Sequence, residues 1–265
     1  TGSETKSRDG SLKHDLPRNS QNTPLIGDPR NDENLVLSQM QVAFIKFHNN
    51  WVTKLKAEGL TNPVEIFLEA QRLTRWHYQW IILHEFLPKT VGQALVDDIL
   101  QNGRKFYQWN NAPYIPVEFS VAAYRFGHSQ VRPSYRVNFG TNNTTQIFAL
   151  FFNDNLTNPV TIDMRGGSRA PERFIDWQTF FDFGDGNVRN NKRIDTKIST
   201  VMFDLPGMPA SEPQSLAQRN LLRHLTFKVP SGQRVAAAMG IPALLESDLA
   251  DLKPFNLHNR TPLWF

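Results

Sequence analysis

Large apolar residues recur every three or four positions over much of the first half of the chain, which commits that half to packed helices. Leu37, Met40, Phe44, Phe47, Trp51 and Leu55 line one face of a segment from about Asn31 to Lys56, and Gly59 follows as a stop. Pro63 and Glu65 open a second helix that runs to Leu87, with Pro88 ending it. Its expected buried face is Ile66, Ala70, Leu73, Trp80, Ile81 and Leu87. A third, short helix follows from Val91 to Asn102, and Pro113 and Pro116 precede a fourth, Val117 to Gln130, which Pro133 closes. Residues 1–29 are polar, rich in Asp, Asn, Ser and Pro, and are expected to be loop.

The pattern changes after Ser134. Ser134 to Phe139 alternates, and Gln146 to Phe152 is nearly continuous apolar between Asn-rich turns, which predicts a small β-hairpin. Further short helices are expected at Trp177 to Phe183, Lys192 to Phe203, Gln214 to Arg223 and Gln233 to Met239. With no internal repeat and no low-complexity linker, the 265 residues are expected to make one mainly helical domain. Nineteen Phe and six Trp supply aromatic surface for a core or a flat pocket.

Composition excludes more than it selects. The absence of cysteine rules out disulfides, thiolate metal sites and cysteine nucleophiles. A formal charge of +4 without a Lys/Arg block gives no reason to expect nucleic-acid or membrane-surface binding. No apolar run is long enough to span a bilayer. Asn-x-Ser/Thr triplets at Asn142, Asn143, Asn155 and Asn259 matter only in a glycosylating secretory pathway.

The chemistry concentrates in the fourth helix, Ala122-Ala123-Tyr124-Arg125-Phe126-Gly127-His128. Two alanines and a glycine allow a flat ligand, or another backbone, to approach closely. Arg125 precedes His128 by three residues, so both lie on one face. An imidazole for iron and a guanidinium for a propionate would suit haem. The same spacing equally suits a satisfied histidine beside a surface arginine. His77 and His84 share a face of the second helix and are read as packing and capping residues, not a metal pair. Phe183-Gly184-Asp185-Gly186 reads as a turn without the strand–helix context of a phosphate loop.

The order of segments carries further information. Arg30-Asn31-Asp32-Glu33-Asn34, then His48-Asn49, then His84-Glu85-Phe86-Leu87-Pro88, then Tyr124-Arg125-Phe126-Gly127-His128, resembles the animal haem peroxidases. Asn220-Leu221-Leu222-Arg223 and Pro230-Ser231-Gly232 resemble the segment that holds the proximal asparagine of that family. The resemblance extends from Asp28 to about Gly240 and implies a mainly α fold with a small β-hairpin, binding haem b.

Carried over residue by residue, it makes His128 the iron ligand and Asn220 the acceptor for the other ring N–H of His128. Arg125 and Arg223 would pair with propionates. Arg30 would be the catalytic charge on the peroxide side, and Glu33 the carboxylate that in some members is esterified to haem. Asn220 and Glu33 also have plain alternatives, a helix N-cap and an acid countering a helix dipole.

Departures are equally specific. Asn34 stands where a haem-bonded methionine occurs in some relatives, which excludes a sulfonium link. The upstream segment bearing the distal histidine and calcium loop of the family has no counterpart, and His14-Asp15 is rejected as its echo. The further C-terminal helices are likewise not found. Residues 30–265 therefore resemble the central part of a peroxidase domain. The implied reaction is oxidation of a halide or small organic donor by hydrogen peroxide, in an extracellular setting, with a second chain supplying the distal histidine if the enzyme is split. A remnant that only binds haem or a partner is the alternative. A fatty-acid dioxygenase is disfavoured, because Arg125 stands where those enzymes carry a radical tyrosine.

Overall fold

The computed structural model describes residues 4–6, 12–109, 111–139, 146–150, 163–167 and 173–265. Asn142, Asn143 and Asn155, and the expected end of the hairpin at Phe151 and Phe152, lie outside them. The chain divides into two compact units, Thr1–Lys105 with Ser134–Arg189, and Phe106–Pro133 with Asn190–Phe265.

In the first unit, β1 (Glu4–Lys6) pairs antiparallel with β2 (Leu12–His14), where loop was expected. A 3-10 turn, Pro29–Asp32, leads into helix α1 (Leu35–Ala57). Asn34 caps α1, its side chain accepting from Val36 N at 2.9 Å. Helix α2 (Pro63–Ile81) starts behind the Asn62 cap with Pro63 in its first turn, where a missing N–H costs nothing. Leu55, Ile66 and Ala70 form the buried seam between α1 and α2, with Trp51, Val52, Leu60 and Leu73 against it.

The expected faces need rotation. In α1 the buried residues are Leu35, Ser38, Gln39, Val42 and Leu55, whereas Leu37 is exposed. Leu35 is drawn inward because the first turn of α1 docks on a second cluster, Val137, Phe148, Met164 and Ile175, and its N–H donates to Met164 O at 2.9 Å. In α2, Trp80 and Ile81 are also exposed.

Pro88 does not end the second helix as expected. The chain widens into a π-helical stretch, Ile82–Phe86, and continues as α3 (Leu87–Val91). Proline has no N–H, and its ring collides with the carbonyl four residues back. The wider turn, closed by Leu87 N–H on Ile82 O, relieves both. Gly92, at φ 89°, makes the stop before α4 (Gln93–Asn102). The hairpin is present as β3 (Ser134–Asn138) and β4 (Gln146–Ala149), antiparallel, with an irregularity between Arg136 and Asn138.

The second unit carries α5 (Val117–Val121), a 3-10 stretch Ala123–Gln130, α6 (Leu216–Thr226), α7 (Gly232–Met239) and a 3-10 helix Ala250–Phe255. Val121, Ala122 and Val229 form its core, with Leu263 and Trp264 packed on them. The helices expected at Trp177 to Phe183 and Lys192 to Phe203 shrink to 3-10 turns, Trp177–Thr179 and Thr200–Phe203. For the latter a tertiary cause is visible. The carbonyls of Asn190, Lys192 and Arg193 face side chains of Arg132, Gln130 and Ser129, so they bond across the unit and not along a helix. The architecture is mainly helical with small antiparallel ribbons. No described helix is long and apolar enough to cross a membrane.

Candidate haem-binding site

The segment expected to be one fourth helix breaks at Ala122, φ −132° and ψ −72°, and re-forms as a 3-10 helix from Ala123 to Gln130. Three residues per turn bring positions i and i+3 into line, so Arg125 and His128 project from the same edge. The tight turn is anchored from below. Ser129 is buried, its hydroxyl 3.0 Å from Phe126 O, and accepts from Asp195 N at 3.3 Å. Ser129 was not singled out in sequence, because its partner is 66 residues away.

Helix α6 supplies the other half of the site. Its N-cap is Ser215, which excludes the capping alternative for Asn220. Asn220 lies within the helix and is fully buried, at 0% exposure. Its Nδ2 is 2.9 Å from His128 Nδ1, and Arg223, one turn on, donates from Nη1 to Asn220 Oδ1 at 3.1 Å. The expected contact is therefore formed with the amide reversed: Asn220 presents its nitrogen to the histidine, not its oxygen.

Charge around His128 is one-sided. Burial, then Arg125, then Arg223 hold its imidazole below the ordinary histidine pKa, so the neutral ring is favoured. Arg223 is itself held below the usual arginine value by burial, Arg125 and Arg219. Among the described residues neither Arg125 nor Arg223 has a carboxylate partner, and Arg125 Nε is buried without a hydrogen-bond acceptor. A Cβ added at Gly127 would meet only open space. These features fit haem: an imidazole with one ring nitrogen engaged by Asn220, two guanidiniums lacking acidic partners among the described residues, and an unobstructed backbone beside them.

Arg30 and Glu33 belong to the other unit. Arg30 is 77% exposed, and its guanidinium chelates Asp28, with Nη2 2.6 Å from Oδ2. Asp28 also caps the 3-10 turn, accepting from Arg30 N at 3.0 Å, and these bonds depress its carboxyl to about 2. The turn is held by a network that sequence reading missed. Arg18 Nη1 and Nη2 each approach a carboxylate oxygen of Asp32 at 2.8 Å, while Nε and Nη2 reach Asp15 at 3.2 Å. Gly166 lies against the backbone of Asp32 and Glu33, where no Cβ would fit, and its N–H donates to Glu33 O at 2.9 Å. The Glu33 side chain is exposed.

The two helical histidines set aside in the sequence are occupied otherwise. His77 packs edge-on against Phe47 with centroids 5.1 Å apart, its Nδ1 2.8 Å from Leu73 O, and His84 lies 4.9 Å from Trp80. No cluster of three potential metal ligands occurs among the described residues.

Residues 3–177 match the animal haem peroxidase family. Peroxidase mlt-7 of Caenorhabditis elegans is 31% identical over 143 residues, which is 53% of this chain and 19% of that protein. The human probable oxidoreductase PXDNL is 33% identical over 129 residues, 46% of this chain and 8% of that protein. The structure of peroxidase A from Dictyostelium discoideum shares the fold, with a TM-score of 0.57 at 18% identity, over 93% of this chain and 47% of that one. The chain thus spans under a fifth of these curated relatives and about half of the solved structure. It belongs to the animal haem peroxidase family.

Proposed function

We propose that residues 30–265 are the central part of a haem-dependent peroxidase that uses hydrogen peroxide to oxidise a halide or small organic donor, in an extracellular setting. The observation that carries this is the contact of His128 Nδ1 with the fully buried Asn220, beside arginines that have no acidic partner among the described residues. In this reading His128 Nε2 ligates iron, Asn220 orients the ring, and Arg125 and Arg223 take the propionates. Arg30 stabilises negative charge on the peroxide side, and Glu33 is the carboxylate that would form an ester to haem b. The bound haem supplies the redox chemistry; the chain supplies ligation, orientation and charge.

Arg30 stays protonated and cannot take the first proton of hydrogen peroxide. A histidine on a further segment or a second chain takes that role, because its pKa lies near neutrality.

Addition of ferric haem to the chain tests the proposal. A histidine-ligated spectrum should form, be lost in His128→Ala, and return with added imidazole; an unchanged spectrum in His128→Ala overturns it. Haem that resists acid–acetone extraction in Glu33→Gln removes Glu33 as the point of attachment.

A further inference from the structure

We propose that the side of α2 turned away from α1 is a docking surface for a second copy of this chain, with the two α2 helices lying antiparallel. The proposal is independent of the haem site.

Helix α2 is covered along one seam, where Ile66 and Ala70 meet α1. At 3.6 residues per turn, two positions are a little over half a turn, so Leu68 faces away from Ala70. Val64, Arg72 and Arg75 share the side of Leu68, at spacings of four and seven, and Glu65 lies beside them at a spacing of three. Trp76 and Tyr78 fall on the two edges of this side. A helix buried on one side ordinarily presents polar groups on the other. Here Val64, Leu68, Trp76 and Tyr78 are each at least half exposed. Together they offer on the order of 500 Å² of apolar surface. A standard interface takes about 800 Å² from each partner, a little over half of it apolar. The face thus has the size and mixed character of a contact between two folded chains.

The charges select the occupant. Acids come first along α2 and bases follow: Glu65 and Glu69, then Arg72 and Arg75. Glu69 and Arg72 pair with each other, and Arg72 also lies over the Trp76 ring at 4.0 Å. Among the described residues, the side chains of Glu65 and Arg75 have no ion pair or hydrogen bond. One unspent acid and one unspent base therefore remain, at equal distances on either side of Ala70 in the sequence. A twofold axis at the level of Ala70 turns α2 end for end and brings each Glu65 level with the partner's Arg75. The same operation sets Val64 level with the partner's Trp76, a small side chain against a large one. An unrelated partner would have to carry the same acid and base in reverse order. A second copy does so by symmetry.

The test is the oligomeric state of the full, haem-free chain. Sedimentation equilibrium should show a dimer that loosens as salt is added. Leu68→Asp puts a charge into the centre of the contact and should weaken association at least about tenfold. Glu65→Arg alone, or Arg75→Glu alone, sets like charges together twice per dimer and should also weaken it about tenfold. Glu65→Arg combined with Arg75→Glu restores opposite charges and should return the affinity to within about threefold of wild type. Glu65, Leu68 and Arg75 are all exposed, so the variants should keep the wild-type thermal midpoint, which separates lost docking from lost folding. A wild-type chain that stays monomeric at about 100 µM overturns the proposal and leaves this face to further segments of a peroxidase fold. Open-ended assembly, a dimer indifferent to Leu68→Asp, or a double charge swap no tighter than the single ones overturns it as well.

Discussion

Asn220 and His128 are 92 residues apart in sequence and 2.9 Å apart in space, joined Nδ2 to Nδ1 inside one compact unit. Replacing Asn220 by leucine removes the partner of that ring nitrogen and leaves Arg223 Nη1 without its acceptor. The unpaired groups should destabilise the fold by about 1–3 kcal/mol in urea denaturation. In the haem-loaded protein the iron reduction potential should rise, because the ligand loses imidazolate character. An unchanged potential in a folded variant would reduce Asn220 to a packing role.

The same histidine makes stability depend on pH. Its folded pKa is held below the unfolded value of about 6.5 by burial and by Arg125 and Arg223. The unfolded chain therefore binds a proton first as pH falls, and the stability present above the unfolded pKa is lost down to the folded one. Unfolding free energy should decline below about pH 6.5. In Arg125→Gln the decline should be shallower, since one repelling charge is gone. Equal slopes in the two proteins would show that other groups govern the dependence.

Arg18 closes a network between Asp15 and Asp32, both nearly inaccessible, and so fixes the turn that bears Arg30. Arg18→Met would leave two buried carboxylates facing an apolar chain. A loss of about 3–5 kcal/mol is expected, the scale for breaking a buried ion pair from one side. Thermal unfolding at neutral pH measures it; a loss under about 1 kcal/mol would mean that the carboxylates find water.

Gly166 presses on Asp32 and Glu33 from the opposite side. Gly166→Ala should force the backbones apart and cost about 1–3 kcal/mol, as overpacking does. Its φ is not positive, so the effect is purely steric. Chemical denaturation of the variant, with Gly127→Ala as the control that meets open space, separates the two cases.

Arg30 is mostly exposed and can be altered without disturbing the core. Arg30→Gln should return the Asp28 carboxyl from about 2 toward the ordinary carboxylate range, followed by carboxyl NMR. In the haem-loaded protein its loss should slow peroxide consumption roughly 100-fold, the effect of removing one charge-stabilising donor. A rate unchanged in Arg30→Gln would take Arg30 out of the chemistry.

Much of this site could be read before folding was considered. Arg125 and His128 share a short segment, and their alignment follows from a three-residue spacing that both α and 3-10 geometry honour. Asn220 and Arg223 likewise lie one turn apart on α6. The helix starts at Pro63 and near Gln233 and the hairpin at Ser134 were legible because proline placement, periodicity and alternation are local. The course of the chain at Pro88 was not, because proline signals an interrupted ladder without saying whether the helix stops or widens.

The sequence by itself determined the helical class, the segments that form the candidate site, and the family resemblance that links their residue types to an iron porphyrin. Periodicity, capping and short-range spacing act within a few residues, so they survive in a linear reading. Only tertiary structure decided which face of α1 is buried, that Asp15, Arg18 and Asp32 form one network, and that Asn220 points its nitrogen at His128. Each depends on partners brought together from distant segments. For Asn220 the deciding partner is Arg223, whose guanidinium has only donors and so leaves the amide a single orientation.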